Sequence, residues 1–342
     1  MTHLKPSDPA SSADRWGIIL SGGNGTRLRD FVFRRRADYL PKQYLNFIGK
    51  RSMLEHTFQR VEKLIPAQKL LVVIAKEHLQ FDEVRHQIAP RPRKCIVIQP
   101  ENKDTGPGIL LPLMHLYKRY PDAIVALFPS DHYILEEDLF MQHVDRAFRA
   151  VESDGSRIVL LGMEPNDPDP EYGYILYGGK PDLDGDRTVE MFVEKPSAEA
   201  AKMIMRKGAL WNTLVLVVTC KTLLQAIERA TPELYRAFEP IQDAIGTPEE
   251  QRETEQVYQK LTSVNFSKRV LENFSYENRQ NFRVLPVRGV TWKDWGTSDR
   301  LSKTLRQLGA PDLVTPEPVH LEERAVRLSS SKRHLAVLRT IR

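Results

Sequence analysis

The sequence predicts an α/β fold: a mixed, mostly parallel, doubly wound sheet flanked by helices. Two observations carry the prediction. Short apolar runs at 17–23 (GIILSGG), 70–75 (LLVVIA), 95–100 (CIVIQP), 123–128 (AIVALF) and 157–162 (RIVLLG) are β-branched and continuously hydrophobic, as strands buried on both faces are. Between them lie amphipathic stretches near 52–64, 77–88, 106–119 and 138–151, so strand and helix alternate at the spacing of βαβ crossovers. Ligands of such sheets bind at the carboxyl ends of the strands.

Residues 1–15 are rich in Pro, Ser, Ala and Asp without hydrophobic periodicity and read as a flexible leader, so the fold begins at Trp16. After about residue 163 the rhythm changes to Pro/Gly/Asp turns between short strands, which predicts an antiparallel addition to the sheet. A helix at 197–206, a strand at 210–218 and helices near 220–230 and 249–261 follow. Residues 281–309 read as a strand, a turn and a closing helix ending at Gly309. Beyond them, 311–342 is Pro-marked and then basic, with six Lys or Arg against two Glu between 320 and 342.

A length of 342 residues predicts about two domains or one enlarged one. A mean hydropathy of −0.42, with no apolar run near ~18 residues, argues against a membrane-spanning protein. The net charge of +5 suits anionic ligands but falls short of the clustered basic face that marks a nucleic-acid binder. Two cysteines, Cys95 and Cys220, exclude a disulfide framework and a multi-thiolate zinc site. The first residues hold no apolar secretory core, so a soluble cytoplasmic enzyme is expected.

Four features carry chemistry. SGGNGTRL (21–28) puts three glycines after the first strand, where backbone N–H groups can approach a phosphate or base without Cβ clashes. It lacks the Lys-Ser/Thr of a P-loop and the third glycine of the dinucleotide fingerprint. Arg27 adds a permanently charged fork suited to phosphate, and PKQY (41–44) adds Lys42. SDHY (130–133) sets Asp131 at a strand end, where its carboxylate could hold Mg²⁺, and WKDWG offers Asp294 as a second. Each has an ordinary structural reading as well: a βα turn, a solvated lysine, a helix cap or Asx turn, a turn aspartate. His132, with no nucleophile beside it, reads as structural, and Cys95 as a small core residue.

The order and spacing of GGNGTRL, PKQ, QPENKDTGPGI, PSDH, YGYI, FVEKP, LWN and WKDWGT resemble the sugar-nucleotide pyrophosphorylases, best their mannose-1-phosphate guanylyltransferase branch, across about residues 16–308. The resemblance implies a Rossmann-like nucleotidyltransferase domain over 16–310, with a nucleotide half at 16–163 and a sugar-phosphate half at 164–310. It implies Mg²⁺, an NTP (GTP in this branch) and a hexose 1-phosphate (mannose 1-phosphate), giving GDP-mannose and pyrophosphate for polysaccharide biosynthesis. By this likeness Gly22, Gly23, Gly25 and Thr26 form the nucleotide loop, and Arg27 meets the departing phosphates. Lys42 neutralises the reacting phosphates, and Gln99, Thr105 and Gly106 flank base and ribose. Asp131 and Asp294 hold the metal; Gly173, Glu194, Lys195 and Asn212 hold the sugar phosphate.

The chain departs from the branch in three places. DFVFRRRADYL between Arg29 and Pro41 is longer and more basic than the usual linker, so Arg34–Arg36 read either as a phosphate-binding lid or as a solvated charge run. Residues 104–108 read Asp-Thr-Gly-Pro-Gly where the branch commonly has Asn-Thr-Ala-Pro-Ala, and Thr213-Leu214 replace a usual Ser-Gly. No phosphomannose isomerase module follows, which predicts a single function. A nucleotidyltransferase of other base or sugar preference, such as one for glucose 1-phosphate, and a non-catalytic sugar-nucleotide-binding homologue are the alternatives. No nucleic-acid or membrane partner is expected, and a homo-oligomer fits the sequence as well as a monomer does.

Overall fold

The computed structural model describes residues 14–277 and 279–307, so the leader up to residue 13 and the basic extension at 311–342 lie outside the described residues. The strands are β1 (Arg15–Ser21), β2 (Leu70–Ala75), β3 (Ile96–Gln99), β4 (Ile124–Pro129), β5 (His132–Ile134), β6 (Ile158–Met163), β7 (Gly173–Gly178), β8 (Arg187–Glu194), β9 (Leu210–Thr219), β10 (Phe282–Val287) and β11 (Trp292–Asp294). The helices are α1 (Arg29–Arg36), α2 (Met53–Glu62), α3 (Asp82–Ile88), α4 (Thr105–Arg119), α5 (Glu137–Ser153), α6 (Ala198–Arg206), α7 (Cys220–Ala230), α8 (Pro232–Ala244), α9 (Glu250–Lys260), α10 (Glu272–Glu277) and α11 (Ser298–Gln307). None of the described helices is long and apolar enough to cross a membrane.

One large sheet runs in the order β3-β2-β1-β4-β9-β6-β10-β8-β7. Parallel pairing governs β3 to β4 and recurs between β6 and β10. Every pairing made by β9, β8 and β7 is antiparallel, so the sheet is mixed and its parallel character belongs to the half the first βαβ units build. β9 lies between β4 and β6, which joins the strands before and after residue 163 in one sheet. β2, β4 and β6 are buried along their whole lengths, the expected result for strands covered on both faces. One core, with α4 and α7, covers one face; the other, with α2 and α5, covers the opposite face.

Local chemistry sets the helix boundaries. Ser52 and Glu55 form a reciprocal capping box that starts α2, and Ser197 and Thr219 cap α6 and α7. α1, α8 and the short α10 are additions to the sequence expectation. The first has little amphipathic bias; the second carries Pro240 in its interior, a residue that removes a helix donor and reads as a stop. Pro232 at the head of α8 fits the helix, because the N–H it lacks would be unpaired there anyway.

The small sheet pairs β5 with β11 antiparallel, Asp294 opposite His132. This ribbon places the carboxylate of residue 294 beside that of residue 131, far apart though they are in sequence. A third apolar cluster, Leu28, Val32, Phe47, Met53, Trp295, Leu301 and Leu305, packs the turn after β11 against α1 and α11.

Candidate functional site

β1, β3 and β4 run parallel and end at Ser21, Gln99 and Pro129, so the segments that follow them meet at one edge of the sheet. A cleft of about 530 Å³ opens there. Its walls include Gly22, Gly23, Gly25, Arg27, Lys42, Gln99, Thr105, Asp131, Gly173, Glu194, Lys195, Asn212 and Asp294, so most of the residues singled out from the sequence converge on it.

Two do not. Thr26 opens a short 3₁₀ turn and is exposed, outside the lining. The chain reverses at Gly25, whose φ is +59°, and this carries the next side chain outward. Gly106 is buried inside the first turn of α4, where its N–H donates to the Val264 carbonyl at 2.7 Å and a Cβ would meet that oxygen at 2.7 Å. Its glycine permits a close helix-to-loop approach, and the residue lies outside the cleft lining.

At the centre stands Lys42. Pro41 delivers it in extended backbone to a short 3₁₀ turn, and the ammonium is buried. Its Nζ lies 2.8 Å from Asp131 Oδ2 and 3.5 Å from Asp294 Oδ1, and donates to the Trp295 carbonyl at 2.9 Å. Burial alone would lower the lysine pKa, but the two carboxylates outweigh it and hold it above the ordinary value. Burial likewise works against the Asp131 carboxylate, yet the Lys42 ammonium brings its pKa down to about 2, so it stays ionised. Burial lowers the His132 pKa despite its acidic neighbours, and the ring packs edge-on against Trp292 at 5.0 Å. His132 therefore stays neutral and behaves as a packing residue.

The glycine loop is held from beneath. Gln43 Nε2 donates to the carbonyls of Ser21 (3.0 Å) and Gly23 (2.7 Å), and Gln99 Nε2 donates to that of Gly22 at 3.1 Å. The Tyr44 hydroxyl lies 3.1 Å from the Ser21 carbonyl and 3.0 Å from His78 Nδ1, while His78 Nε2 lies 3.1 Å from Asn24 Oδ1. A Cβ at Gly22 would sit 2.4 Å from Gln99 Nε2, whereas nothing lies within 4 Å of one at Gly23. The first glycine thus admits the Gln99 amide, and the second leaves backbone open to the cleft. Gln99 Oε1 is buried without a partner.

Arg27 extends from the loop to an ion pair with Glu171 at 2.9 Å, both about half exposed. On the far wall, β7 and β8 pair Gly173 with Glu194, and a Cβ at Gly173 would lie 2.6 Å from Glu194 Oε2. Glu194 binds Lys195 Nζ at 2.7 Å, and Asn212 Oδ1 accepts from Leu214 N at 3.0 Å. Tyr172 and Trp292, which pack 5.6 Å apart, add an aromatic part to the wall. Arg300 lies over the Tyr172 ring, pairs with Asp169 and reaches Asp294 at 3.7 Å.

Asn24, Gln43, Tyr44, His78, Glu171, Leu214 and Arg300 are not legible as site residues in the sequence. Asn24 carries a signal by lying in the glycine loop, Gln43 and Tyr44 by adjoining Lys42, and Leu214 as a departure from the resemblance. Of the basic run, Arg36 pairs with Asp38 (3.0 Å) and Glu83 (2.5 Å), and Arg34 is exposed. Neither belongs to the cleft wall.

Comparison with known proteins agrees with this architecture. Xanthan biosynthesis protein XanB of Xanthomonas campestris pv. campestris (strain B100) is 30% identical over 298 residues, covering 85% of this chain and 60% of XanB. Mannose-1-phosphate guanylyltransferase 2 of Escherichia coli O157:H7 is 28% identical over 246 residues, covering 68% of this chain and 48% of its own. The chain therefore spans about half to three fifths of the length of these relatives. A crystal structure of a mannose-1-phosphate geranyltransferase from Thermus thermophilus superposes with a TM-score of 0.67 at 27% identity, over 83% of this chain and 76% of that one. The family model described as Nucleotidyl transferase matches residues 16–309, which hold the glycine loop, Lys42 and both aspartates, and the chain belongs to that family.

Proposed function

We propose that the protein transfers a nucleotidyl group from an NTP to a sugar 1-phosphate and releases pyrophosphate, with GTP and mannose 1-phosphate as the substrates and GDP-mannose as the product. One observation carries the reading: a buried ammonium, Lys42, held between two carboxylates at the mouth of a glycine loop. The guanylyl and mannosyl assignments draw on the names of the relatives, among them the Escherichia coli enzyme. The xanthan relative fits a role in polysaccharide biosynthesis.

The chemistry asks for little acid or base. A phosphate monoester has a second pKa of about 6, so near neutral pH a sugar 1-phosphate is already an anionic nucleophile. Its oxygen forms the new bond to the α-phosphorus, the α–β bridging bond breaks, and the electron pair leaves with pyrophosphate. Repulsion between two polyanions is the obstacle, so catalysis rests on in-line positioning and on cations. Open backbone at Gly23 cradles phosphate, and Arg27 can exchange Glu171 for the departing phosphates. Lys42 neutralises charge at the centre, and Lys195 and Asn212 hold the sugar phosphate while Glu194 accepts from sugar hydroxyls. No serine-histidine pair is required, consistent with a neutral, packed His132.

Asp131 and Asp294 suit Mg²⁺ by the chemistry of their donors: hard carboxylate oxygens, both within reach of one ammonium. Among the described residues no group of three or more His, Cys, Asp or Glu side chains forms a complete protein cage. Mg²⁺ commonly takes one or two protein carboxylates and fills its sphere with phosphate and water. When bound it would supply charge neutralisation at the phosphates. Cys95 and Cys220, both free and buried, suit a cytoplasmic setting.

Pyrophosphate release measured over a grid of NTPs and sugar 1-phosphates tests the assignment. GTP with mannose 1-phosphate should give the highest kcat/KM. A higher value for another pair, such as dTTP with glucose 1-phosphate, would replace the guanylyl and mannosyl assignments and keep the class. Tight GDP-mannose binding without turnover of any pair would favour the non-catalytic reading.

A further inference from the structure

Among the described residues, Ala37, Asp104, Lys195 and Leu214 are the non-glycine residues at positive φ, and the last three all line the cleft. A left-handed backbone is uncommon outside glycine and is a true outlier for a bulky side chain. Such positions persist where the surrounding structure over-determines them, and they cluster at ligand sites. Leu214, at φ +58°, is the bulkiest apolar case.

The cause of its conformation is visible in the sheet. β9 pairs with β6 in register at Leu216 with Leu160, and again at Asn212 with Gly162, so three residues of β9 face one of β6. Thr213, Leu214 and Val215 form this bulge. Thr213 Oγ1 donates to the Leu161 carbonyl at 2.7 Å and accepts from Val215 N at 3.2 Å, while Asn212 Oδ1 accepts from Leu214 N at 3.0 Å. A bulge re-aims a side chain, and the residue that turns in the left-handed region is commonly glycine. Here the turning residue keeps an isobutyl group that packs against the core on the α4 and α7 face and also forms part of the cleft wall, two residues from Asn212. The same hydrogen bond occupies Asn212 Oδ1 and leaves the Asn212 Nδ2 donors for a ligand.

We propose that Leu214 is a specificity-determining residue of the acceptor site: its side chain limits the bulk of the sugar 1-phosphate, and the bulge fixes at once that wall and the orientation of Asn212. This rests on the nucleotidyl-transfer reading. Glycine would relax the backbone, so the isobutyl group offsets its strain through the two contacts it makes, with the core and with the cleft wall.

The test measures kcat/KM of the wild-type chain, Leu214→Gly and Leu214→Ala with mannose 1-phosphate and with the bulkier N-acetylmannosamine 1-phosphate, which keeps the manno configuration at C2, at saturating NTP and Mg²⁺. Both variants should raise the ratio of the N-acetylated to the plain substrate at least tenfold. The change should come through KM for the sugar phosphate, with KM for the NTP within twofold of wild type. Leu214→Gly fits the native φ, and Leu214→Ala keeps the backbone strain while removing the wall, so a ratio raised in both assigns the effect to side-chain bulk. An unchanged ratio in both, or one raised only in Leu214→Gly, overturns the proposal. A wild-type chain that turns over no pair would instead overturn the nucleotidyl-transfer reading.

Discussion

Lys42 Nζ lies 2.8 Å from Asp131 Oδ2 and 3.5 Å from Asp294 Oδ1, and the lysine is buried while the Asp131 carboxylate is partly open to the cleft. Lys42→Met should lower turnover at least ~100-fold, because a charge that meets the developing phosphate contributes several kcal/mol. It should also cost about 1–3 kcal/mol of stability, since two carboxylates lose their buried partner. Pyrophosphate release and urea unfolding read the two effects separately, and full activity in a folded variant would remove Lys42 from the mechanism.

Asp131→Asn keeps the shape of the side chain and removes its charge. Turnover should fall at least ~100-fold at an Mg²⁺ concentration that just saturates the wild type, the loss expected when a carboxylate that holds a metal at the phosphates is neutralised. Raising Mg²⁺ should recover part of the activity if the defect lies in holding the cation. Activity within twofold of wild type at low Mg²⁺ would count against a metal role for this residue.

The glycines separate by what a methyl group would strike. Gly106→Ala places a Cβ 2.7 Å from the Val264 carbonyl, a backbone atom that cannot rotate away, and should cost about 1–3 kcal/mol in thermal or urea unfolding. Gly22→Ala would instead press on the Gln99 amide at 2.4 Å, whose side chain can move, and should show mainly as a raised KM for the NTP. The opposite pattern would return Gly106 to the nucleotide site.

His78 should make stability depend on pH. Burial lowers its imidazole pKa to about 4, below the ordinary 6.5 expected when the chain is unfolded. The unfolded chain therefore takes up a proton first as pH falls. The His78 contribution to stability is fully present above 6.5, declines between 6.5 and 4 by about 3 kcal/mol, and levels below that. Urea unfolding at pH 7.5 and 4.5 should show this loss in the wild type and less of it in His78→Gln. Equal losses in the two would assign the pH dependence to other groups.

Much of the fold is legible in the sequence because long apolar runs such as LLVVIA at 70–75 admit little besides a doubly covered strand. The antiparallel addition after residue 163 is legible from its turns, but the insertion of β9 between β4 and β6 is not, since an apolar run records burial and not which strands flank it. Lys42, Asp131 and Asp294 stand out because residue type and motif order carry them. The Tyr44–His78–Asn24 support of the loop rests on contacts across 20 and more residues between side chains of no special type. Leu214 shows in the sequence only as a departure from a resemblance. Its significance lies in a backbone angle and a register shift, which composition and spacing do not encode.

The most direct test of nucleotidyl transfer quantifies both products by ion-exchange chromatography after incubation with GTP, mannose 1-phosphate and Mg²⁺, omitting each in turn. Attack of the sugar phosphate on the α-phosphorus predicts pyrophosphate and GDP-mannose in equal amounts, and neither when any one component is left out. Phosphate or pyrophosphate released from GTP without the sugar phosphate, or no nucleotide sugar from any NTP and sugar 1-phosphate pair, would contradict it.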